Sequence, residues 1–273
     1  MKNLSQRSFS RSSLAFCAAR VLTPLAVLLA AGGEFAGPGS LSTTPLMQIL
    51  PARPVGNPIE RPFLPRISAI GERHPVTRAL PGWDRDNPQW APWFRLVAAQ
   101  ATTGASIMTG PDDLPLLVLN RVQKGRVAQL LSDHAWLWAR GLGEGGPYID
   151  LLRRLSHWLM KEPELDEEAL RMTARGRVLT IERQTLAESV SDIRLIGPDG
   201  DELKLTLTQA EPGLWRTSFT ARRQGLHRVV DGERVAFANV GPPNPREFRE
   251  VTSTEEEMRA VLEQTGGGVR RLE

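Results

Sequence analysis

The sequence has one cysteine, Cys17, among its 273 residues. A single cysteine cannot form a disulfide within the chain and cannot supply a cysteine-rich zinc site. The longest apolar runs are also well short of the roughly 20 residues that a membrane-spanning helix needs. We identify no motif that predicts a metal ion or another cofactor, so none is expected.

Charge is not concentrated anywhere in the chain. The 34 basic and 31 acidic residues are spread along it and leave a net charge of +3. A protein that holds a phosphate backbone usually presents a basic stripe, so nucleic acid is not an expected partner. Hydrophobic residues at 41% and charged residues at 24% are ordinary globular values. The length suffices for two modest domains, each with its own core.

The amino terminus allows two interpretations. Residues 1–20 form a basic, serine-rich leader without acidic residues, and Val21 to Ala31 follows as a short apolar run. Together they imitate a secretory signal peptide. Alternatively, Leu25 to Ala31 is a buried parallel strand that ends in a glycine turn. We favour the strand because Pro24 interrupts the run.

Residues 37–92 are rich in proline, which keeps helices short and favours extended or turn geometry. Within this stretch, His74 precedes a proline, and we consider both a pocket-facing position and a local hydrogen bond, favouring the second. Three tryptophans, Trp83, Trp90 and Trp93, either form a ligand wall or close the edge of a core.

The segment from 113 to 141 is the most informative part of the chain. Leu114 to Val122 and Arg126 to Leu131 are apolar runs separated by a glycine-containing turn, which predicts a hairpin. Further strands are expected at Phe94 to Ala98 and at Ala105 to Thr109. The second hairpin run ends in polar and aromatic residues that form a candidate pocket with His74: Ser132, Asp133, His134, Trp136 and Trp138. Such groups at the carboxyl end of a buried strand lie where α/β sheets keep their sites.

The order of these polar residues bears on catalysis. If the strand continues through His134, then Ser132 and His134 share one face and Asp133 points to the other. Asp133 is then poorly placed to orient His134. A Ser132–His134 pair remains conceivable, but a histidine without an orienting partner rarely suffices for catalysis. We favour a non-catalytic role for His134.

The pattern changes after a helix predicted from Tyr148 to Lys161. The residues from 162 to 171 are typical of a linker or short helix, and short strands separated by turns follow. Six strands are predicted: Val178 to Arg183, Ser191 to Ile196, Leu203 to Gln209, Gly213 to Thr220, Gly225 to Asp231 and Arg234 to Val240. Their spacing predicts a small antiparallel sandwich of immunoglobulin-like type over residues 172–243.

The last part of the chain, residues 244–273, is predicted to be a tail with one helix. Thr254 precedes that helix, which runs from Glu255 to Thr265, and Glu257 completes a capping box. Val269 to Leu272 is typical of the first part of a strand, so the tail is interpreted as truncated.

These segments resemble bacterial envelope proteins that carry a class I glutamine amidotransferase-like domain followed by an immunoglobulin-like module. The resemblance rests on five stretches of the chain: Ala30 to Leu50, Glu72 to Leu80, Gly125 to Gly141, Leu151 to Leu165 and Asn244 to Gly268. The segment from the hairpin to the tryptophans is its most specific part. Residues 1–20 match nothing in the family.

The resemblance implies an α/β plus all-β chain. Residues 21–165 would be the back part of a flavodoxin-like amidotransferase domain, and the complete proteins would carry membrane-spanning segments at both ends. True amidotransferases attack with a cysteine on a sharp strand-to-helix elbow. Cys17 lies in the unmatched leader without such a context, so the resemblance does not carry the activity over.

Three functional hypotheses follow. The first, which we favour, is a non-catalytic binding or scaffolding module of a membrane-associated envelope protein. Its partners would be other envelope or membrane proteins, and the periplasmic side is expected. The second is a hydrolase or amidotransferase whose nucleophile lies outside this chain. The third is a truncated product without independent function, since half of a parallel sheet leaves an unpaired edge.

Overall fold

The computed structural model describes residues 26–141, 145–241 and 256–268. The chain divides into two compact units, residues 1–166 and residues 167–273. It mixes helices with several β-sheets and is largely β. In these ranges, no helix combines the length and the hydropathy that crossing a membrane would require. The leader and the strand predicted at 269–272 lie outside the described residues.

In residues 26–141 and 145–166, the described part of the first unit, there are seven strands and three helices. The strands are β1 (Ala26–Ala30), β2 (Ala52–Pro54), β3 (Arg66–Ile67), β4 (Ala99–Ala101), β5 (Ala105–Thr109), β6 (Pro115–Val122) and β7 (Gly125–Leu130). The helices are α1 (Ala69–Arg73), α2 (Trp136–Ala139) and α3 (Tyr148–Leu159). Within the proline-rich stretch, Leu41–Thr43 and Pro45–Gln48 form short 3₁₀ helices.

The main sheet of this unit has the order β1-β7-β6-β5-β3. β6 and β7 form the predicted hairpin, with Val122 paired to Gly125. β1 runs parallel to β7, whereas the β7–β6, β6–β5 and β5–β3 pairs are antiparallel. The predicted parallel strand in the apolar run before Gly32 is therefore present, but it is not buried as expected, since its residues are exposed or half-buried.

Helix α3 packs on this sheet through an apolar stripe. Leu151, Leu155 and Trp158 are almost completely buried in the core that β5, β6 and β7 also line. The spacing of these residues along the sequence is helical, which is why the helix was predictable. β6 and β7 read as continuous apolar runs because both of their faces are covered.

The prediction of a strand at Phe94 to Ala98 was wrong. This segment makes only two isolated antiparallel bridges with the proline-rich stretch, Phe63 with Trp93 and Ile59 with Leu96. Prolines have no N–H to donate to a ladder, so the partner segment, with its several prolines, cannot pair continuously.

The described residues of the second unit form eight strands and one helix. The strands are β8 (Ala169–Arg175), β9 (Val178–Gln184), β10 (Ile193–Ile196), β11 (Glu202–Leu205), β12 (Thr208–Glu211), β13 (Leu214–Thr220), β14 (Gly225–Asp231) and β15 (Arg234–Val240). They form two four-stranded antiparallel sheets, ordered β12-β13-β9-β8 and β11-β10-β14-β15. Both sheets contribute to one buried core, so they pack face to face. The helix is α4 (Glu256–Thr265).

Two strand predictions in this unit were wrong. β8 lies partly in the segment interpreted as a linker, because the acidic residues just before Ala169 hid a strand whose inward residues include Met172. The single strand expected at 203–209 is divided into β11 and β12, which belong to different sheets. Leu207, between them, is buried in the core, so the chain passes from one sheet to the other there.

Candidate functional site

The parallel pair β1 and β7 places two chain segments side by side. Ala30 is paired with Leu130, so both strands finish at the same edge of the sheet. Ligand sites of α/β sheets lie outside the carboxyl ends of parallel strands. The relevant residues are therefore the glycine turn after β1 and the polar residues after β7.

β7 ends before the polar residues begin. Leu131 still donates its N–H to the carbonyl of Leu116 at 2.7 Å, and its own carbonyl accepts from the N–H of Val97 at 2.8 Å. Ser132, Asp133 and His134 then form a bend and turn outside the strand. The expectation that Ser132 and His134 share a strand face was wrong, because strand alternation does not apply after Leu130.

The hydroxyl of Ser132 is fully engaged with the backbone. It donates to the carbonyl of Arg95 at 2.6 Å and accepts from the N–H of His134 at 3.2 Å. Ser132 is also completely buried. This side chain therefore fixes the turn after β7.

The ring of His134 is also held by the backbone. Its Nδ1 accepts the N–H of Phe94 at 3.2 Å. A neutral imidazole with an acceptor at Nδ1 carries its proton on Nε2. Nε2 lies 3.8 Å from Oδ1 of Asp133. Asp133 was expected to be poorly placed to orient His134 because the two side chains would lie on opposite strand faces. The turn brings the two side chains near each other, so that reason was wrong, but the distance is too long for a hydrogen bond and Asp133 Oδ1 has no hydrogen-bond partner among the described residues.

Charged and polar side chains from four parts of the chain lie beside this turn. We call them the strand-end cluster: Glu34, Glu60, Arg95, Asp133 and His134. The guanidinium of Arg95 bridges two carboxylates, with Nε 3.2 Å from Glu60 Oε1 and Nη1 3.3 Å from Asp133 Oδ2. Arg95 thereby ties the proline-rich stretch to the end of β7.

Gly32 lets the carboxylates approach the turn after β1. A β-carbon at this position would lie 2.8 Å from Oε2 of Glu34 and 3.3 Å from Oδ2 of Asp133. Because glycine has no β-carbon, the carboxylates of Glu34 and Asp133 can both lie close to the backbone at the end of β1.

Asp133 is the least satisfied member of the strand-end cluster. Its side chain is 40% exposed, yet Oδ1 is shielded from solvent and has no hydrogen-bond partner among the described residues. A shielded carboxylate oxygen without a donor costs free energy. No group of His, Cys, Asp and Glu side chains in the described ranges has the arrangement of a metal site.

The remaining predicted site residues do not join the strand-end cluster. Trp138 is buried, donates from Nε1 to the carbonyl of Ala91 at 2.9 Å and contacts the rings of Trp90 and Trp93 at 5.1 and 4.8 Å between centres. These tryptophans thus form core. Trp136 is exposed, with the guanidinium of Arg140 5.7 Å from its ring centre.

His74 is a core residue. Its Nδ1 accepts from the N–H of Val76 at 3.2 Å, and its ring lies 6.1 Å from the ring of Trp158 on α3. The local hydrogen bond that we favoured for this histidine is present, and the ring is almost completely buried.

Sequence reasoning did not identify Glu34, Glu60 or Arg95. Glu34 had a usable signal, because it follows a double glycine at the end of an apolar run. Glu60 and Arg95 had none, since each stands alone in an irregular segment, and only the tertiary fold brings them to Asp133.

Comparison with known proteins does not assign this chain to a family. No family model matches it, and no curated protein matches it significantly. Two solved structures are similar over part of their length. The cytoplasmic protein STM3548 from Salmonella typhimurium is 23% identical, with a TM-score of 0.37 over 47% of this chain and 53% of that one. The cytoplasmic protein STM1381 from Salmonella typhimurium LT2 is 20% identical, with a TM-score of 0.34 over 48% and 51%.

A third similarity concerns a smaller part of the chain. The Lin-41 filamin domain is 21% identical, with a TM-score of 0.19 over 26% of this chain and 84% of that domain. The chain spans about half the length of the two Salmonella proteins. All three scores are low, so no functional argument rests on them.

Proposed function

We propose that this chain is a non-catalytic binding or scaffolding module of a membrane-associated bacterial envelope protein. In this proposal the first unit is the back part of a flavodoxin-like, class I glutamine amidotransferase-like domain. The second unit is an immunoglobulin-like module that positions it. The proposed identity of the domains rests on the resemblance of the sequence to that family. The proposed non-catalytic role rests on the hydrogen bonds of the turn after β7.

One observation supports the non-catalytic role: the side chains of Ser132 and His134 are both hydrogen-bonded to backbone groups. A general base needs a free lone pair directed at the nucleophile. The lone pair of His134 Nδ1 accepts the N–H of Phe94, and Nε2, which carries the proton, faces Asp133. The Ser132 hydroxyl donates to a carbonyl, not to an imidazole. This arrangement is suited to holding two loops together.

The open edge of β1 supports a larger sheet in the complete protein. Among the described residues, β1 pairs only with β7, in parallel. Its sequence, AVLLA, contains no charge or proline, and Leu28 is 45% exposed. Parallel strands are normally covered and paired on both sides. A further strand at this edge is what a flavodoxin-like sheet would supply.

The architecture of the second unit supports an immunoglobulin-like module. Two four-stranded antiparallel sheets share one core, which is the arrangement of that class of sandwich. Placement in the envelope, on the periplasmic side, rests on the family resemblance alone. It is tested by locating the protein in membrane, periplasmic and cytoplasmic fractions, and recovery solely from the cytoplasm would refute it.

The non-catalytic role is tested by the tautomer of the His134 ring, that is, by which ring nitrogen carries the proton. Nitrogen-15 spectra of the imidazole at neutral pH should show the proton on Nε2, and His134→Gln should leave ammonia release from glutamine at the buffer level. The proposal fails if the proton lies on Nδ1, or if the chain hydrolyses glutamine and loses that activity in His134→Gln. His74→Gln serves as the control histidine, since His74 lies in the core.

A further inference from the structure

The histidine of the strand-end cluster lies between a backbone donor and a carboxylate. Nδ1 of His134 accepts the N–H of Phe94 at 3.2 Å, and Nε2 is 3.8 Å from Oδ1 of Asp133. The first distance is that of a hydrogen bond, whereas the second is too long for one. Oδ1 of Asp133 has no donor among the described residues. One ring nitrogen is therefore in use as an acceptor, and an unsatisfied acceptor lies close to the other.

Protonation changes the role of Nδ1. Histidine is the side chain that ordinarily changes its charge near physiological pH. A neutral imidazole has one acceptor nitrogen, but an imidazolium has two donors and no acceptor. In the protonated ring of His134, Nδ1–H and the N–H of Phe94 would be two donors facing each other, so their hydrogen bond cannot form. The bond is exposed, and water can therefore satisfy the released N–H of Phe94.

The charged groups of the strand-end cluster can accommodate a second cation. Asp133 belongs to the turn after β7, Glu34 to the turn after β1, Glu60 to the proline-rich stretch and Arg95 to the segment that follows Phe94. They comprise three carboxylates and one guanidinium. Arg95 contacts Oδ2 of Asp133 at 3.3 Å, which leaves Oδ1 for another donor. An imidazolium can therefore bind Asp133 without displacing Arg95.

The aromatic ring of Phe94 does not hold the imidazolium in place. The ring centres of Phe94 and His134 are 6.5 Å apart in an edge-to-face arrangement. A cation is attracted to an aromatic face within about 6 Å of its centre. The contact with Phe94 is therefore too long to compete with the carboxylate of Asp133.

The other bonds of the turn do not involve the imidazole ring. The hydroxyl of Ser132 donates to the carbonyl of Arg95 at 2.6 Å and accepts the backbone N–H of His134 at 3.2 Å. The N–H of Val97 donates to the carbonyl of Leu131 at 2.8 Å. Protonation of the ring leaves these three bonds intact. The expected change is therefore local and does not detach the segment from the end of β7.

We propose that the contact between His134 and Phe94 is a pH-sensitive switch. The neutral ring holds the N–H of Phe94. The protonated ring turns towards Oδ1 of Asp133 and releases Phe94, whose side chain is 44% exposed. This inference concerns the regulation of the proposed binding module and rests on the proposed function for its consequence, which is that acid changes the surface around Phe94.

The test measures the hydrogen bond itself in the full chain. An N–H···N hydrogen bond transmits a scalar coupling between its two nitrogens, so nitrogen-15 spectra detect the pair formed by Phe94 N and His134 Nδ1. The coupling is expected at neutral pH and should be lost as the ring of His134 becomes protonated, which the ring signals report in the same sample. The inference is overturned if the coupling survives in the protonated ring, or if it is absent while the ring is neutral.

A second histidine of the first unit serves as an internal control. Nδ1 of His74 accepts the N–H of Val76 at 3.2 Å, and His74 is almost completely buried. Its coupling to Val76 should remain when the coupling between Phe94 and His134 is lost. Loss of both couplings at the same pH would assign the effect to unfolding of the unit and would overturn a local switch.

Two variants test the part played by the carboxylate. In Asp133→Asn the protonated ring has no carboxylate to turn to, so the coupling between Phe94 and His134 should persist to lower pH. Glu60→Gln is the matched control, because Glu60 is joined to this site through Arg95, and it should shift the loss much less. Equal shifts would overturn the role of Asp133. Failure of the proposed non-catalytic role would appear as glutamine hydrolysis, and failure of the switch as a coupling that does not depend on protonation.

Discussion

Among the described residues, Arg126 in the first unit and Arg183 in the second are almost completely buried, and the two are neutralised in different ways. Arg126, on β7, donates to the carbonyl of Trp158 and to the carboxylate of Asp166. Its guanidinium carbon also lies 5.1 Å from the centre of the Trp158 ring. The surroundings of Arg126 thus combine one carboxylate with a carbonyl and an aromatic face.

Arg183, on β9, has a more ionic environment. It is bound by Glu168 at 2.6 Å and by Asp231 at 2.5 Å, and it donates to the carbonyl of Gln184. Glu168 in turn accepts from the hydroxyl of Thr185 at 2.6 Å. The two arginines thus differ in what compensates their buried charge. For Arg126 it is one carboxylate together with a carbonyl and an aromatic ring, whereas for Arg183 it is two carboxylates.

The largest expected effect is that of Arg183→Met. Removing the guanidinium leaves the partly buried carboxylate of Asp231 without its ion pair to Arg183, while Glu168 keeps only the ion pair with Arg234 at 3.2 Å. The second unit should therefore lose about 3 kcal/mol of unfolding free energy. Hydrogen exchange of β9 amides in urea measures this loss for the second unit alone. Arg194→Met, at an exposed ion pair, is the matched control, and an equal loss there would contradict the argument.

Arg126→Met should cost less, about 2 kcal/mol. Methionine can keep the contact with the Trp158 ring, and Asp166 is exposed enough to be hydrated once the cation is gone. Hydrogen exchange of β7 amides gives the value for the first unit. A loss as large as that of Arg183→Met would remove the distinction between the two sites.

Acid should weaken the second unit through Glu168. Burial raises the pKa of this carboxyl, but hydrogen bonds from Thr185 and Arg183 outweigh that effect and hold the pKa below its ordinary value of 4.5. The ionised form therefore contributes stability above pH 4.5, and the contribution is lost as the pH falls through the lowered pKa. In Glu168→Gln, unfolding free energy of the second unit should depend less on pH in this range, and an unchanged dependence would refute the assignment.

The smallest effect is expected at the half-buried arginine of the strand-end cluster. Glu60→Gln removes one exposed partner of Arg95, which keeps Asp133 at 3.3 Å. Exposed ion pairs contribute up to about 1 kcal/mol, so the first unit should lose no more than that. Urea unfolding followed by tryptophan fluorescence suits this variant, since Trp215 is the one tryptophan of the second unit. A larger loss would place Arg95 with the two buried arginines.

Helices and strands with periodic apolar residues were predictable because the period indicates both the type of element and the side that is buried. The β6–β7 hairpin, α3, β14 and β15 all have apolar spacing that dictates which side is buried. β8 was missed because it directly follows an acidic segment and its inward residues alternate with polar ones, including Arg171 and Arg175. The boundary of β7 was misplaced by a few residues, and that error alone reversed the expected geometry of Asp133 and His134.

The candidate site was predictable only in part. Ser132, Asp133 and His134 were found because they interrupt an apolar run, and their proximity follows from adjacency. The roles of their side chains could not be read from the chain. Both hydrogen bonds that fix these roles, from Phe94 to His134 and from Ser132 to Arg95, join residues about 40 positions apart.

The sequence by itself determined the local elements, the change from a mixed α/β texture to short regular strands, and the lack of a cysteine in a nucleophile context. Each of these follows from residue type and near-neighbour spacing. Only the tertiary structure decided which tryptophans are core and which cation meets Asp133. The reason is that these properties depend on contacts between distant segments, and burial and electrostatic partners are set by the packed chain, not by the order of residues along it.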